Sequence, residues 1–209
     1  MLDLEIQSVD TLGSDAAKLY NTYVMGAGDD SANAIRESLA TAITTMKEFW
    51  AGKDAGVQIN NVIQVYNALG TIANGAGNLA KLSVKAAQTL RDLQNSNGAG
   101  FNPIDDIFPV EMTDMPPHTD DRDTVSITSD VLAASTNLTS AVENIGKFKN
   151  NISNTKTAIE TNWTRGESLG RSSALENFQS LIDGITKYQE YLTSAVDSVK
   201  TAFDNYNSL

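Results

Sequence analysis

The chain predicts an all-α fold: two helix–turn–helix hairpins packed as an elongated antiparallel four-helix bundle, a pseudo-dimer within one polypeptide. Three observations predict the hairpins, and their pairing is expected because each hairpin alone leaves an apolar face uncovered. All four prolines fall between Pro103 and Pro117, so the rest of the chain is free of the residue that breaks helices. Apolar residues recur at spacings of three and four in both halves, the signature of amphipathic helices. The halves are also copies of one another. A shift of 113 positions brings Ile35 onto Phe148, Leu39 onto Ile152, Met46 onto Ile159 and Trp50 onto Trp163. It then brings Val62 onto Leu175, Val65 onto Phe178, Ile72 onto Ile185 and Leu79 onto Leu192. The apolar register is kept while the surface changes, as in a hairpin duplicated in tandem.

Taken in order, each half opens with a short alternating segment, LEIQS before Val9 and VSITS before Asp130. In the first half, MGAGDD from Met25 to Asp30 predicts a helix break, with Asp30 or Ser31 capping the continuation. Ile35, Leu39, Ile43 and Met46 form the next stripe, and Ile59 to Leu93 the long return helix. The first hairpin is placed at residues 1–97. Residues 98–124 are an acidic Pro/Gly linker, expected to be an exposed, flexible tether. From Phe101 to Thr124 it holds seven acids against one base, a net of −6 within a total of −11. The second hairpin occupies residues 125–209, with stripes Leu138 to Ile159 and Leu175 to Tyr206.

Composition excludes several functions. There is no cysteine and a single histidine among 209 residues, which leaves no disulfides, no thiolate chemistry and few metal ligands. No cofactor, catalytic group or metal site is expected, and the reading is non-enzymatic. An acidic chain repels phosphate backbones, so no nucleic-acid partner is expected. The N-terminus lacks the basic and apolar regions of a secretory signal, and no apolar stretch is long enough for a spanning helix. Stable membrane insertion is not expected.

The two tryptophans occupy the same place in each copy, at the turn between helices. The first turn reads Trp50-Ala51-Gly52 and the second Trp163-Thr164-Arg165-Gly166. These residues resemble the WXG family of type VII (ESX) secretion substrates, which are helical hairpins with Trp-X-Gly in the turn and no signal peptide. The first turn matches that motif outright and the second carries one inserted residue. The family's aromatic-x3-acid tail motif is missing after both hairpins. The resemblance implies synthesis in the cytoplasm, then export to the medium or surface of a Gram-positive bacterium. It implies a protein-binding role as substrate, or as targeting or carrier partner, with a place in virulence or interbacterial competition. The implied partners are the secretion ATPase or channel, and a co-secreted toxin or another WXG-like protein. Trp50, Gly52, Trp163 and Gly166 are the implied recognition residues. An indole that serves recognition in this way is expected to be partly exposed. A carrier would also keep an unpaired apolar face, expected near Gly70 to Gly77.

Two alternatives belong to other classes: a helical membrane-active, pore-forming protein, and a filament or tail subunit. Polar Asn60, Asn61, Asn67, Asn74 and Asn78 in the long helix argue against the first. His118, in PPHTDDRD, reads as a loop histidine rather than a cation ligand. Gly75, Gly77 and Ala80 read as close helix packing rather than a phosphate loop, because no strand precedes them. Tyr188 and Tyr191 read as an interface or rim feature of the last helix.

Overall fold

The computed structural model describes residues 2–120, 122, 124–164 and 169–208, with side chains described from Val9 onward. Helix α1 runs Leu2–Lys18 and passes into a π-helical turn, Leu19–Val24. Helix α2 is Ala32–Phe49, followed by the two-residue strand β1, Trp50–Ala51, and the long helix α3, Lys53–Ser96. Further along the chain come strand β2, Ser126–Ile127, helix α4, Ser129–Asn162, and helix α5, Arg171–Asn207. Among the described residues the fold is all-α apart from these two short strands. The opening residues LEIQS lie within α1 rather than in a separate extended segment.

The break at Met25 to Asp30 is where glycine composition places it. Ser31, not Asp30, is the cap: its Oγ accepts from the Ala34 amide at 3.1 Å, satisfying a donor that has no intrahelical partner. Asp30 instead accepts from Asn151 Nδ2 at 2.7 Å, joining the break to α4. Serines and threonines on the exposed faces donate to carbonyls one turn back, as Thr41 does to Glu37 and Thr193 to Gln189. The hydroxyl-rich helices thereby satisfy their side chains locally.

Helix α4 packs on α5 and on α2, while α3 packs on α5, α1 and α2. The duplicated register is the core. Ile35, Leu39, Met46, Val62, Val65, Ile72 and Leu79 are buried, as are their counterparts Phe148, Ile152, Ile159, Phe178, Ile185 and Leu192. Of the matched residues, Leu175 is only half-buried. Burial of one such side chain stabilises by about 1.5–3 kcal/mol, so the matched stripes dominate the fold's cohesion.

The acidic linker is not a free tether. From Phe101 to Asp120 it runs as an extended strap antiparallel to α3, held by amide side chains seven residues apart except for a fourteen-residue step from Asn74 to Gln88. Asn60 donates from Nδ2 to His118 O at 2.7 Å, and its Oδ1 accepts from His118 N at 2.8 Å. Asn67 does the same with Met115, at 2.9 and 2.7 Å, and Asn74 with Met112, at 3.3 and 2.8 Å. Gln88 donates to Ile104 O at 3.1 Å, and Asn95 pairs both backbone groups of Phe101 at 2.7 and 3.0 Å. Seven helical residues advance about 10.5 Å, close to the roughly 9–10 Å of three residues of extended or polyproline chain. One amide every second turn therefore meets every third strap residue.

Gly70, Gly75 and Gly77 do not leave an open apolar face. A Cβ at Gly77 would come within 3.1 Å of Pro109 Cβ, so the missing methyl admits the strap's proline ring. Gly75 faces Leu181, and Gly70 faces the Arg36 guanidinium. The expected carrier face at this seam is already covered, because the strap and the partner helices fill it. The close-packing reading of Gly75 and Gly77 matches these contacts.

Candidate functional site

The first tryptophan turn forms where α2 ends and the backbone becomes extended. Trp50 pairs antiparallel with Ile127, and Ala51 with Ser126. Gly52 then takes φ 113°, a conformation that side chains on Cβ rarely permit, and opens α3. Its amide donates to Asp120 Oδ2 at 3.1 Å. Arg122 grips the same carboxylate through Nε at 2.8 Å and Nη2 at 2.7 Å, and Nη2 also donates to the Trp50 carbonyl at 3.2 Å. The end of the strap thus clasps the backbone of both motif residues. The Arg122 guanidinium, with backbone donors beside it, holds the Asp120 carboxyl well below the usual carboxylate range. That side chain is 2% exposed. One turn along the strap, burial pushes the His118 imidazole below its ordinary pKa; Lys47 and Arg122 push the same way and Asp120 opposes them.

Beside this turn lies an open groove of about 1050 Å³. Trp50, Val57, Arg122 and Val125 line one side, and Thr201 and Tyr206 of α5 the other. Val57, Val125 and Tyr206 are exposed.

The second turn lies at the other end of α5. Trp163 closes α4, its amide donating to Ile159 O at 2.8 Å. Its carbonyl accepts from Arg171 Nε at 2.5 Å, and Asn162 donates to Asp15 of α1. Gly166, the expected partner glycine, lies outside the described residues. The positive φ of 86° in this region belongs to Gly170, which precedes α5. Helix α5 is 37 residues, about 55 Å at 1.5 Å per residue, so the two turns sit at opposite ends.

Neither indole is partly exposed. Trp50 is 3% and Trp163 0% exposed, both within the continuous apolar core. The exposure expected of a docking anchor is therefore corrected. Each indole joins the continuous apolar core, where burial of so large an apolar ring is favourable. Trp163 Nε1 is buried with no hydrogen-bond partner among the described residues. Comparison with known protein families, with curated proteins and with solved structures yields no match.

Sequence reasoning located Trp50 and Gly52 but missed the groups that hold them, Asp120 and Arg122. It noted Asn60, Asn67 and Asn74 only as polar residues, although their seven-residue spacing was visible. Tyr191 donates to Asn61 at 2.9 Å, tying α5 to α3. Among the described residues no group of three or more His, Cys, Asp or Glu could hold a metal ion, and no helix is long and apolar enough to cross a membrane.

Proposed function

We propose that the protein is a non-enzymatic substrate or targeting partner of a type VII (ESX) secretion system, built as a single-chain pseudo-dimer. The two hairpins would form one antiparallel four-helix bundle. Packing of α2 on α4 and α3 on α5, with the repeated register buried in both copies, supports that arrangement. Pairing gives each hairpin's apolar face a cover that it lacks alone. On this reading the chain is made in the cytoplasm and exported to the medium or surface of a Gram-positive bacterium.

The single observation that carries this reading is the repeated tryptophan turn, one at each end of the structure. Because both indoles are buried, they shape the turns, and contact with the secretion ATPase or channel falls to the surfaces around them. The groove beside Trp50 is one such surface. A carrier role would need a free apolar face elsewhere than Gly70 to Gly77, so the substrate role is favoured.

The test is export of a tagged chain from a Gram-positive host with an intact or an inactivated type VII ATPase. Accumulation in the medium only with the intact ATPase is expected. Equal amounts in both media, or retention in both cells, would overturn the proposal.

A further inference from the structure

The strap and α3 run out of step at one place. Between Asn60 and Asn74, fourteen helix positions match six strap residues, His118 back to Met112. Between Asn74 and Gln88, fourteen helix positions match eight, Met112 back to Ile104. Two residues are in excess, and the strap bulges there. The break in inward pattern is visible. Phe101, Ile104 and Ile107 turn inward at steps of three, as do Pro109, Met112, Met115 and His118, with a slip between Ile107 and Pro109. The helix position midway between Asn74 and Gln88 is Lys81, not an amide, and Pro109, seated against Gly77, has no N–H to offer.

The bulge is ordered. The Tyr20 hydroxyl accepts from Val110 N at 2.8 Å and donates to Phe108 O at 3.4 Å, pinning the backbone on both sides of Pro109. Pro109 seats against Gly77, and Ile107 is buried. The side chains between these anchors point outward: Phe108 is 74% and Val110 64% exposed. Lys81 Nζ lies 6.0 Å from the Phe108 ring centroid, at the edge of cation–π range. Exposed acids flank the pair: Asp105 and Asp106 before it, Glu111 and Asp114 after it.

We propose that Phe108-Pro109-Val110 is a docking motif for a protein partner that presents an apolar helix face flanked by lysine or arginine. The inference stands independently of the secretion reading. An extended segment fixed in advance loses little conformational entropy on binding. An aromatic flanked by a second apolar side chain supplies the buried anchor that interfaces concentrate their affinity in. The four flanking carboxylates select against acidic partners, a second copy of this −11 chain included, and favour a basic flank. The fold itself does not use the two side chains, since both stand in solvent.

The test uses the full chain and a fluorescent amphipathic helical peptide of leucine and lysine, with a leucine–glutamate peptide as control. Fluorescence anisotropy should show binding to the first and none to the second. Phe108→Ser with Val110→Ser should weaken binding at least about tenfold while leaving the thermal melt unchanged, because the removed groups are exposed. Asn67→Ala with Asn74→Ala, which keeps Phe108 but frees the strap, should also weaken it through lost preorganisation. No binding to the leucine–lysine peptide, equal binding to the glutamate peptide, or binding unchanged by the Phe108 and Val110 substitutions would overturn the proposal. The last outcome would mean that charge alone attracts the probe.

Discussion

Asn67 and Met115 exchange two hydrogen bonds, side-chain amide to backbone, as two neighbouring β-strand residues do. Repeated at Asn60 and Asn74, this exchange lets a helix act as the missing strand beside an extended chain. Asparagine and glutamine offer a donor and an acceptor side by side on one planar, uncharged amide, which suits the residue type to the pairing. Arg36 adds a further tie, donating to Thr113 O and to Tyr66 O. The strap is consequently part of the folded unit, although it has no helix or sheet of its own.

Removing one such amide should loosen the strap locally. Asn67→Ala leaves Met115 N and O without these partners in a half-buried site. A loss of about 1–3 kcal/mol is expected for the two bonds together. Asn67→Asp should cost a similar amount, because a carboxylate accepts from Met115 N but cannot donate to Met115 O. Hydrogen exchange checks both. Amides of Met112, Met115 and His118 should exchange faster while those of the α4 core stay protected. Unchanged exchange along the strap would contradict the ladder's role.

The tryptophans should behave as core residues. Trp50→Ala and Trp163→Ala are each expected to destabilise by about 3–5 kcal/mol, the range for truncating a buried aromatic. Trp163→Phe should cost less, since it keeps most of the ring volume and removes a buried N–H that has no partner among the described residues. Urea denaturation of the three variants measures this. An alanine variant that unfolds at the wild-type midpoint would show that the indole is not a plug. Export that falls only with the folded fraction would then assign the motif's importance to folding.

Acidification should weaken the strap at its turn-proximal end. His118 has a folded pKa below the ordinary 6.5, so the unfolded chain takes up its proton first. Stability is whole above that value and falls as pH drops through it, until the folded form is protonated as well. Asp120, also depressed from 3.8, contributes fully above that value and loses its contribution only in stronger acid. The urea midpoint of the wild type should therefore decline between pH 7 and pH 5, a decline that His118→Gln should flatten. An identical slope in the variant would assign the effect to other groups.

The sequence by itself determined the helices, their duplicated register and the place of both turns. Apolar spacing of three and four is a local property, and Ile35, Leu39 and Met46 bury the same stripe that Phe148, Ile152 and Ile159 bury in the second copy. Gly52 was legible for the same reason, as the glycine of a tight connection after Trp50. Tertiary structure alone decided three other features. It placed the indoles in the core, because exposure depends on the helices that pack across a turn. It turned an acidic, proline-rich stretch into an ordered strap, because Asn60, Asn67 and Asn74 pair with backbone groups 58, 48 and 38 positions away. It also set Phe108 outward, where the strap carries two residues more than its seven-to-three match with α3 requires. Composition cannot report such pairings: net charge and proline content describe how a segment behaves in water, whereas side-chain amides on a neighbouring helix decide whether it stays there.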